Sequence, residues 1–387
     1  MCIGFTPATR SSRPNSGTNR NIPTSGFIEL LIHDLAFGGK GVGRSENGKA
    51  VFVPFTIAGE RVAARIVREK KQFAEAELVQ VSEASPRRVP PECPYFARCG
   101  GCAYQHIEYA EQLEIKTRQV RDALVRLGKI ENPPLRPIIP SPKPYAYRNR
   151  ITVHAADGTV GYFARGGHRL IDIERCPIAS PEVNAALTEL RARRPREGHF
   201  TLRAHAGPRV FAQTNDEVAE ALANLVATFL PEHGELLIDA YCGAGFFAKR
   251  LRHRFVCVLG IEWDRFAVAA AEENAEAHEK YLAEDVETAL TRSLRESEPA
   301  GTCVIVDPPA TGLTAGSRRA LIEHAPKTLV YVSCNPPTLA RDLRELGSRF
   351  TIRSITPLDM FPQTAEIECA VHLESMAPEP SAPSEHV

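Results

Sequence analysis

The sequence predicts an α/β protein, with an open parallel sheet in the carboxyl half and a small β-barrel at the amino end. In the carboxyl half, apolar runs of strand length end in a polar residue and then a turn, at Asp239, Glu262, Asp307 and Cys334. Over residues 27–81, short apolar runs alternate with glycine turns, which is typical of a barrel of about five strands. At 387 residues the chain is long enough for two or three domains.

A glycine turn follows the first of these sheet strands. Residues 236–240 have the pattern of a buried strand, the turn contains Gly243 and Gly245, and a helical stretch over 248–254 comes next. The glycines let a ligand approach the backbone closely. Because Phe246 follows the Gly-Ala-Gly step, the third glycine of the dinucleotide fingerprint is missing. The turn therefore favours a nucleoside ligand without a pyrophosphate.

The end of the next strand fits the same kind of ligand. Glu262 closes the apolar run 256–261, nineteen residues beyond Gly243. A carboxylate at this position of an α/β sheet accepts hydrogen bonds from ribose hydroxyls. Trp263, the only tryptophan, follows it and is placed to line an adenine pocket.

Cys334 stands between an apolar strand over 330–333 and a turn closed by two prolines, which cannot continue a ladder. A side chain at the carboxyl end of a parallel strand reaches the ligand crevice, so this thiol is a candidate for chemistry. The alternative is a small buried hydrophobe, as most free cysteines are. Asp307 also ends a strand before two prolines, which favours a ligand-binding edge over a set of simple turns.

Two carboxylates occur in the last apolar segment of the chain. Glu366 and Glu368 alternate with apolar residues, so both are expected to project to one face of a strand. Two carboxylates on one side of a strand usually face the solvent. These two follow a Pro-Gln-Thr loop in a domain that already carries the Cys334 thiol, which makes one of them a candidate base.

Four cysteines form a three-plus-one set, with Cys93, Cys99 and Cys102 in one segment and Cys176 far downstream. Four thiolates suit either a four-iron cluster or a structural zinc ion. Zinc sites more often contain two Cys-x-x-Cys pairs and only one occurs here, whereas the proline after Cys176 is typical of ferredoxin-like ligation. The spacing by itself leaves both metals open.

Charge divides the chain, although its formal net charge is zero. Lys and Arg outnumber Asp and Glu by 32 to 20 in residues 1–210, and by 12 to 6 in residues 141–210. A basic run can be a solvated face, but aromatic residues interleave with this one, which suits single-stranded RNA. The side chains concerned are Arg148, Arg150, Arg165, Arg169, Arg191, Arg193, Arg194 and Arg196, with Tyr145, Tyr147, Tyr162 and Phe163.

The sequence contains no apolar run close to the roughly 20 residues of a membrane span, and no apolar signal-peptide stretch at its start. We therefore expect a cytoplasmic monomer with no membrane partner. Disulfides are rare in that compartment, so the ten cysteines are better interpreted as metal ligands or catalytic groups.

These motifs resemble those of the S-adenosylmethionine-dependent RNA uracil-5-methyltransferases. The matching segments are Asp-Pro-Pro at 307–309, Ser-Cys-Asn-Pro at 333–336, Phe-Pro-x-Thr-x-x-x-Glu at 361–368, Phe-x-Gln-x-Asn at 211–215 and a TRAM-like glycine-rich stretch at 34–44. The resemblance implies a Rossmann-like class I methyltransferase domain, an OB-like TRAM barrel before it, and a central iron-sulfur and RNA-binding region.

The resemblance also implies the roles of individual residues. Cys334 is expected to be the nucleophile and Glu368 the base in methyl transfer to carbon 5 of a uridine. The implied binding residues for S-adenosylmethionine are Gln213, Tyr241, Glu262 and Asp307, together with Gly243 and Gly245 of the turn. The residues expected to hold a four-iron four-sulfur cluster are Cys93, Cys99, Cys102 and Cys176.

The combination of barrel and cluster cysteines favours ribosomal RNA, 23S in particular, as the substrate. Transfer RNA is the alternative substrate. A non-catalytic iron-sulfur RNA-binding protein is the alternative function, but it leaves the presence of Cys334 and Glu368 unexplained. The predicted organisation is a disordered tail at 1–25, the barrel at 26–84, the iron-sulfur and RNA-binding region at 85–210, the methyltransferase domain at 211–374 and a second disordered tail at 375–387.

Overall fold

The computed structural model describes residues 27–205 and 213–376. The tails predicted at 1–25 and 375–387 lie outside these residues, except that Ser375 ends the last strand and residue 376 follows it. Phe211 of the Phe-x-Gln-x-Asn motif also lies outside them. Within the described ranges, no helix is both long enough and apolar enough to cross a membrane.

Five strands close into a barrel, adjacent in the order β1-β2-β3-β5-β4. Their bounds are β1 (Phe27–Ala36), β2 (Lys40–Arg44), β3 (Ala50–Pro54), β4 (Arg61–Glu69) and β5 (Phe73–Glu83). None of the apolar runs that predict the barrel covers β2, because this strand contains Gly41 and Gly43, which have no apolar side chain. Packing requires Gly41, since a Cβ there would lie 2.0 Å from Thr56 Oγ1.

Helix α1 (Tyr109–Arg126) fastens the barrel to the carboxyl-terminal domain. Ile115 packs in one cluster with Leu35 of the barrel. Further along the helix, Val120 and Leu124 pack in the core of the large sheet. The apolar positions therefore recur at helical spacing but serve two different cores.

A four-stranded antiparallel sheet follows, in the order β8-β7-β6-β9. Its elements are β6 (Arg150–Ala156), β7 (Thr159–Phe163), β8 (Leu170–Asp172), helix α2 (Pro181–Ala192) and β9 (Gly198–Arg203). Helix α2 covers one face, where Val183 and Leu187 pack with Ile151 and Val153. The alternate residues of β6 lie on the other face of this sheet.

The carboxyl half folds into a seven-stranded sheet in the order β12-β11-β10-β13-β14-β16-β15. The strands are β10 (Gly234–Ala240), β11 (Phe255–Glu262), β12 (Glu279–Ala283), β13 (Thr302–Val306), β14 (Thr328–Ser333), β15 (Phe350–Leu358) and β16 (Glu368–Ser375). The helices are α3 (Asp216–Phe229), α4 (Ala248–Leu251), α5 (Arg265–Glu272), α6 (Val286–Glu296), α7 (Ala315–Glu323) and α8 (Pro336–Leu346). The predicted α/β fold and the amino-terminal barrel are both confirmed.

The strand order determines which residues meet at one edge of this sheet. Strands β11, β10, β13 and β14 are parallel neighbours, so the residues at their carboxyl ends lie side by side. Strand β16 is antiparallel to β14, with Ser333 opposite Cys369. The amino end of β16, at Glu368, therefore comes to the same edge as Cys334. Strand β16 is the only antiparallel neighbour that β14 has among the described strands.

Candidate active site

Cys334 is held in the junction between a strand and a helix. Strand β14 ends at Ser333, and Asn335 caps helix α8, its side-chain oxygen accepting a hydrogen bond from the Thr338 N–H at 3.3 Å. Two prolines fill the first turn of the helix, where backbone N–H groups need no helical partner. The half-buried thiol is thus fixed in the crevice at the end of the strand.

The surroundings of Cys334 disfavour its thiolate. Burial raises the pKa of the Cys334 thiol to about 12, and the neighbouring carboxyl groups of Glu368 and Asp307 oppose ionisation further. The residue is therefore a thiol in the protein without substrate. A thiolate here requires a nearby proton acceptor or a bound ligand that stabilises the negative charge.

Glu368 is the buried carboxyl beside that thiol, at 3% exposure. Burial raises its pKa well above the ordinary value, and Asp307 and Glu366 add to the effect. Burial raises the pKa of Asp307 as well. A carboxyl group with a raised pKa is a stronger proton acceptor once it is ionised, which suits a general base working near neutral pH.

Glu366 does not share this environment. It is exposed and precedes β16, which begins at Glu368, so the two carboxylates do not project from one face of a strand as the sequence predicts. The chain is still in the irregular loop at Glu366, where period-two alternation does not apply. The structure thereby separates a buried carboxyl next to Cys334 from an exposed one.

A cavity of about 240 Å³ lies beside the glycine turn. Five of the six predicted cofactor residues line it, namely Gln213, Tyr241, Gly243, Gly245 and Asp307. Gly243 and Gly245 have φ angles of 54° and 81°, in the left-handed region that favours glycine. The turn thus depends on both glycines, and its backbone forms one wall of the cavity.

Glu262 supports this turn from the neighbouring strand. Its carboxylate accepts hydrogen bonds from the backbone N–H of Gly243 at 3.2 Å and of Asp264 at 3.0 Å. Asp239 acts on the other side of the turn, where its Oδ2 accepts from the Ala248 N–H at 2.8 Å. Glu262 and Asp239 therefore both shape the turn rather than line the cavity, and of the strand-end acids named from the sequence Asp307 is the one in its lining.

The sequence analysis missed Asp285. It caps helix α6 by accepting from the Thr288 N–H at 2.9 Å, and it lines a second cavity of about 320 Å³ with Tyr241 and Trp263. Tyr241 lines both cavities, so they adjoin. The available signal was a strand-end acid after β12, but that strand has only two large apolar residues, Tyr281 and Leu282, and was not recognised.

The four cysteines of the three-plus-one set converge. Cys93, Cys99, Cys102 and Cys176 all line one cavity of about 600 Å³. Burial raises the pKa of each thiol, for Cys102 to about 12, and the charges of the other cysteines add to the shift at Cys93, Cys99 and Cys102. Across the described residues, no three His, Cys, Asp or Glu side chains are grouped tightly enough to hold a single metal ion.

The loop before β16 is anchored by the preceding regions of the chain. The Gln363 carbonyl accepts hydrogen bonds from the Ala103 and Tyr104 N–H groups at 3.0 and 2.9 Å, directly after Cys102. The Gln363 side chain accepts from Gln112 of helix α1 at 3.0 Å. The loop that carries Glu366 and leads to Glu368 is therefore fixed by the cysteine segment and by α1.

Comparison with known proteins identifies the family. A family profile described as tRNA (Uracil-5-)-methyltransferase matches residues 196–376, and one described as the TRAM domain matches residues 27–79. A protein of Synechocystis sp. described as an uncharacterized RNA methyltransferase is 31% identical over 448 residues, which cover 90% of this chain and 96% of that protein. The chain belongs to the RNA uracil-5-methyltransferase family.

Two further proteins agree with this assignment. An RNA methyltransferase of Protochlamydia amoebophila, also described as uncharacterized, is 31% identical over 90% of this chain and 98% of its own length. The crystal structure of the Pyrococcus abyssi tRNA (uracil-54, C5)-methyltransferase with S-adenosyl-L-homocysteine has the same fold, with a TM-score of 0.70 at 24% identity over 89% of this chain and 99% of that one. The chain is thus an RNA uracil-5-methyltransferase with a TRAM domain.

In this methyltransferase, two of the basic residues expected to meet RNA are engaged within helix α2 and its sheet. Arg191 forms a two-point contact with Asp172, at 2.5 and 3.0 Å, and its side chain is only 27% exposed. Arg193 pairs with Glu189 one turn away, at 3.4 Å. Arg191 therefore binds helix α2 to the edge strand β8. The surface expected to bind RNA must include other residues.

Proposed function

We propose that this enzyme methylates carbon 5 of one uridine in 23S ribosomal RNA through a covalent bond between Cys334 and the uracil ring. The observation that carries the proposal is the edge of the large sheet, where the half-buried thiol of Cys334, the buried carboxyl of Glu368 and the carboxyl of Asp307 lie beside the cofactor cavity. Covalent catalysis, a base and a methyl donor are what carbon-5 methylation needs.

The proposed steps follow from the electronics of uracil. The Cys334 thiol gives its proton to solvent and the thiolate adds to carbon 6, which converts the ring to an enolate with a nucleophilic carbon 5. Carbon 5 would then form a bond to the sulfonium methyl group of S-adenosylmethionine, while the bond between that methyl group and sulfur breaks and S-adenosylhomocysteine leaves. Glu368 removes the remaining proton from carbon 5, the bond between carbon 6 and sulfur breaks, and the ring double bond returns.

Seven residues are proposed to bind the methyl donor. The glycine turn brings backbone close to the ligand, Glu262 offers its carboxylate to the ribose, and Asp285 and Tyr241 border the second cavity next to Trp263, which suits a nucleobase. The residues are Gln213, Tyr241, Gly243, Gly245, Glu262, Asp285 and Asp307. The 240 Å³ and 320 Å³ cavities adjoin at Tyr241, as a ligand with separate amino-acid and nucleoside parts requires.

The cysteine set is proposed to hold a four-iron four-sulfur cluster. Four thiols around one cavity of about 600 Å³ suit a cluster with one thiolate at each iron better than a zinc ion, whose four ligands converge within about 2.3 Å of the metal. Such a cluster would tie the segment 93–102 to Cys176, in the loop between β8 and α2. Methyl transfer needs no electron, so its proposed role is architectural.

We further propose a division of labour in which residues 26–84 and 85–210 hold the RNA and residues 211–374 carry out the chemistry. The barrel with the cysteine set supports ribosomal RNA, as in the branch that the sequence resembles. Transfer RNA is the second candidate, supported by the family description and by the printed substrate of the Pyrococcus abyssi enzyme.

Mapping 5-methyluridine in both RNAs from cells with and without this protein tests the proposal. Loss of a single 5-methyluridine from 23S ribosomal RNA, restored by the wild-type enzyme but not by Cys334→Ala, is the expected result. Loss of 5-methyluridine from transfer RNA alone would show that transfer RNA, and not 23S ribosomal RNA, is the substrate. Full restoration of the modification by Cys334→Ala would overturn the covalent mechanism.

A further inference from the structure

The open face of the small antiparallel sheet carries three ordered rows of side chains. Strands β6 and β9 pair in register, with Arg150 opposite Arg203, Thr152 opposite Thr201 and His154 opposite His199. Residues directly opposite each other in a sheet share a face, and these alternate with the residues that pack on helix α2. The face thus presents a pair of arginines, a pair of threonines and a pair of histidines in succession.

The histidine row is extended by an aromatic ring from the next strand. Phe163 of β7 lies with its ring centroid 4.2 Å from that of His154, and the His154 and His199 rings are 4.5 Å apart. Phe163 is exposed at 38%, and His199 is exposed as well. Three rings on three adjacent strands therefore form one continuous patch on the open face, which we call the ring platform.

The other end of the face is strongly cationic. Arg150 and Arg203 border the 600 Å³ cavity together with Arg148. Burial lowers the pKa of Arg150, and the charges of Arg203 and Arg148 lower it further.

The arginine end of the face is also the end attached to the methyltransferase domain. The Asn149 N–H donates to the Thr214 carbonyl at 2.9 Å, and the Asn149 side chain donates to the Gln213 carbonyl at 2.9 Å. Gln213 lines the proposed cofactor cavity. The three rows therefore run from the ring platform, past the threonines, to the boundary of the active-site domain.

We propose that this face is a guide for the single-stranded RNA that flanks the target uridine, with bases stacked on Phe163, His154 and His199 and phosphates bound by Arg150 and Arg203. A four-stranded sheet with exposed rings on neighbouring strands is a surface on which unpaired bases stack, and guanidinium groups match phosphate. Charge complementarity identifies RNA as the occupant. The inference deepens the proposed function and rests on it.

The two ends of the guide predict two different defects. Replacing Phe163 and His154 by Ala removes stacking, so affinity for a fluorescein-labelled single-stranded RNA of about 16 nucleotides should fall by about five-fold to a hundred-fold with an unchanged salt slope. Replacing Arg150 and Arg203 by Gln removes two phosphate contacts, so the slope of log affinity against log salt should fall by about 1.4. Fluorescence anisotropy across a salt series measures both quantities.

Matched controls separate the guide from general damage. Phe266→Ala removes a ring that is 66% exposed elsewhere on the surface, and should leave RNA affinity unchanged. Arg295→Gln with Arg319→Gln removes two charges from exposed positions of helices α6 and α7, and should leave the slope close to that of the wild type. Phe163→Tyr keeps a stacking ring and should retain affinity. Unchanged S-adenosylhomocysteine affinity shows that each variant is folded.

The outcomes distinguish this inference from the proposed function. If the wild-type enzyme produces 5-methyluridine but both pairs of variants bind RNA with wild-type affinity and slope, the face is not the guide and the function stands. If the arginine variants lose iron without any change in slope, these residues serve the cysteine cavity and the inference is overturned. If the wild type forms no 5-methyluridine but the variants show the two predicted defects, the guide stands and the proposed reaction falls.

Discussion

The Lys116 ammonium lies 2.5 Å from Asp359 Oδ1, and neither side chain is exposed to solvent. Lys116 belongs to helix α1, and Asp359 opens the loop that leads to Glu368. The same ammonium donates a hydrogen bond to the Phe361 carbonyl at 3.0 Å. Burial lowers the pKa of Lys116 and the Asp359 charge opposes that shift, so the two charges depend on each other. This pair holds the loop of the proposed base against α1.

Removing Lys116 should therefore be costly. Lys116→Met leaves a buried carboxylate without its counter-charge, and we expect a loss of about 3–5 kcal/mol in the free energy of unfolding. The exposed pair of Arg353 and Glu374 in the same sheet is a matched control, since both side chains are over 40% exposed. Arg353→Met should cost less than about 1 kcal/mol. Denaturant unfolding measures both, and equal losses would contradict the assigned role of Lys116.

The cysteine set predicts a metal content. Anaerobically purified protein should be brown and contain about four irons per chain, as a cluster with four thiolate ligands requires. Cys99→Ser or Cys176→Ser should remove the colour and the iron. Cys257→Ser changes an exposed cysteine outside the cavity and should leave both intact. A colourless wild-type protein with one zinc ion would favour the other metal that the spacing allows.

Asp239 predicts a pH dependence of stability. Burial raises its pKa from 3.8 to about 7 in the folded protein, so the native state holds this proton more tightly than the unfolded chain does. Stability from this group is complete below the unfolded pKa and is lost as pH rises through the folded one. Asp239→Asn stays neutral and should gain stability relative to the wild type between pH 4 and 7, by a few kcal/mol on the scale of about 1.4 per pH unit.

Thermal unfolding at pH 5 and pH 7 checks this prediction. The melting temperature of Asp239→Asn relative to the wild type should be higher at pH 7 than at pH 5. Asp264→Asn alters another capping carboxylate, which is not in the core, and should show no such trend. A constant difference between Asp239→Asn and the wild type would show that Asp239 is ionised in the native protein.

The residues at the edge of the sheet could be predicted from the sequence because the local sequence marks the carboxyl end of each parallel strand. Glu262, Asp307 and Cys334 each follow a local apolar run, and parallel geometry brings such ends together without further information. The position of Glu368 could not be predicted in this way. It depends on β16 inserting antiparallel between β14 and β15, a pairing between segments that no local pattern encodes.

Buried polar contacts were equally hidden from the sequence. Lys116 has the appearance of a solvated helix residue, and its partner Asp359 lies 243 residues away in the chain. Strand β2 has no apolar pattern because of its glycines, one of which is required by close packing against Thr56. The run of basic residues that contains Arg191 does not show that this residue has a carboxylate partner, Asp172, across the sheet.

The covalent step is tested most directly by trapping the enzyme–RNA adduct. Glu368→Gln keeps the Cys334 thiol but lacks the proposed base, so with RNA and S-adenosylmethionine it should accumulate a methylated, denaturation-resistant adduct, visible by gel electrophoresis and mass spectrometry. The exposed carboxylate gives a matched control, because Glu366→Gln should turn over without accumulation. The adduct should vanish when Cys334→Ala is added to Glu368→Gln. Adduct formation in that double variant, or normal turnover by Cys334→Ala, would contradict the account.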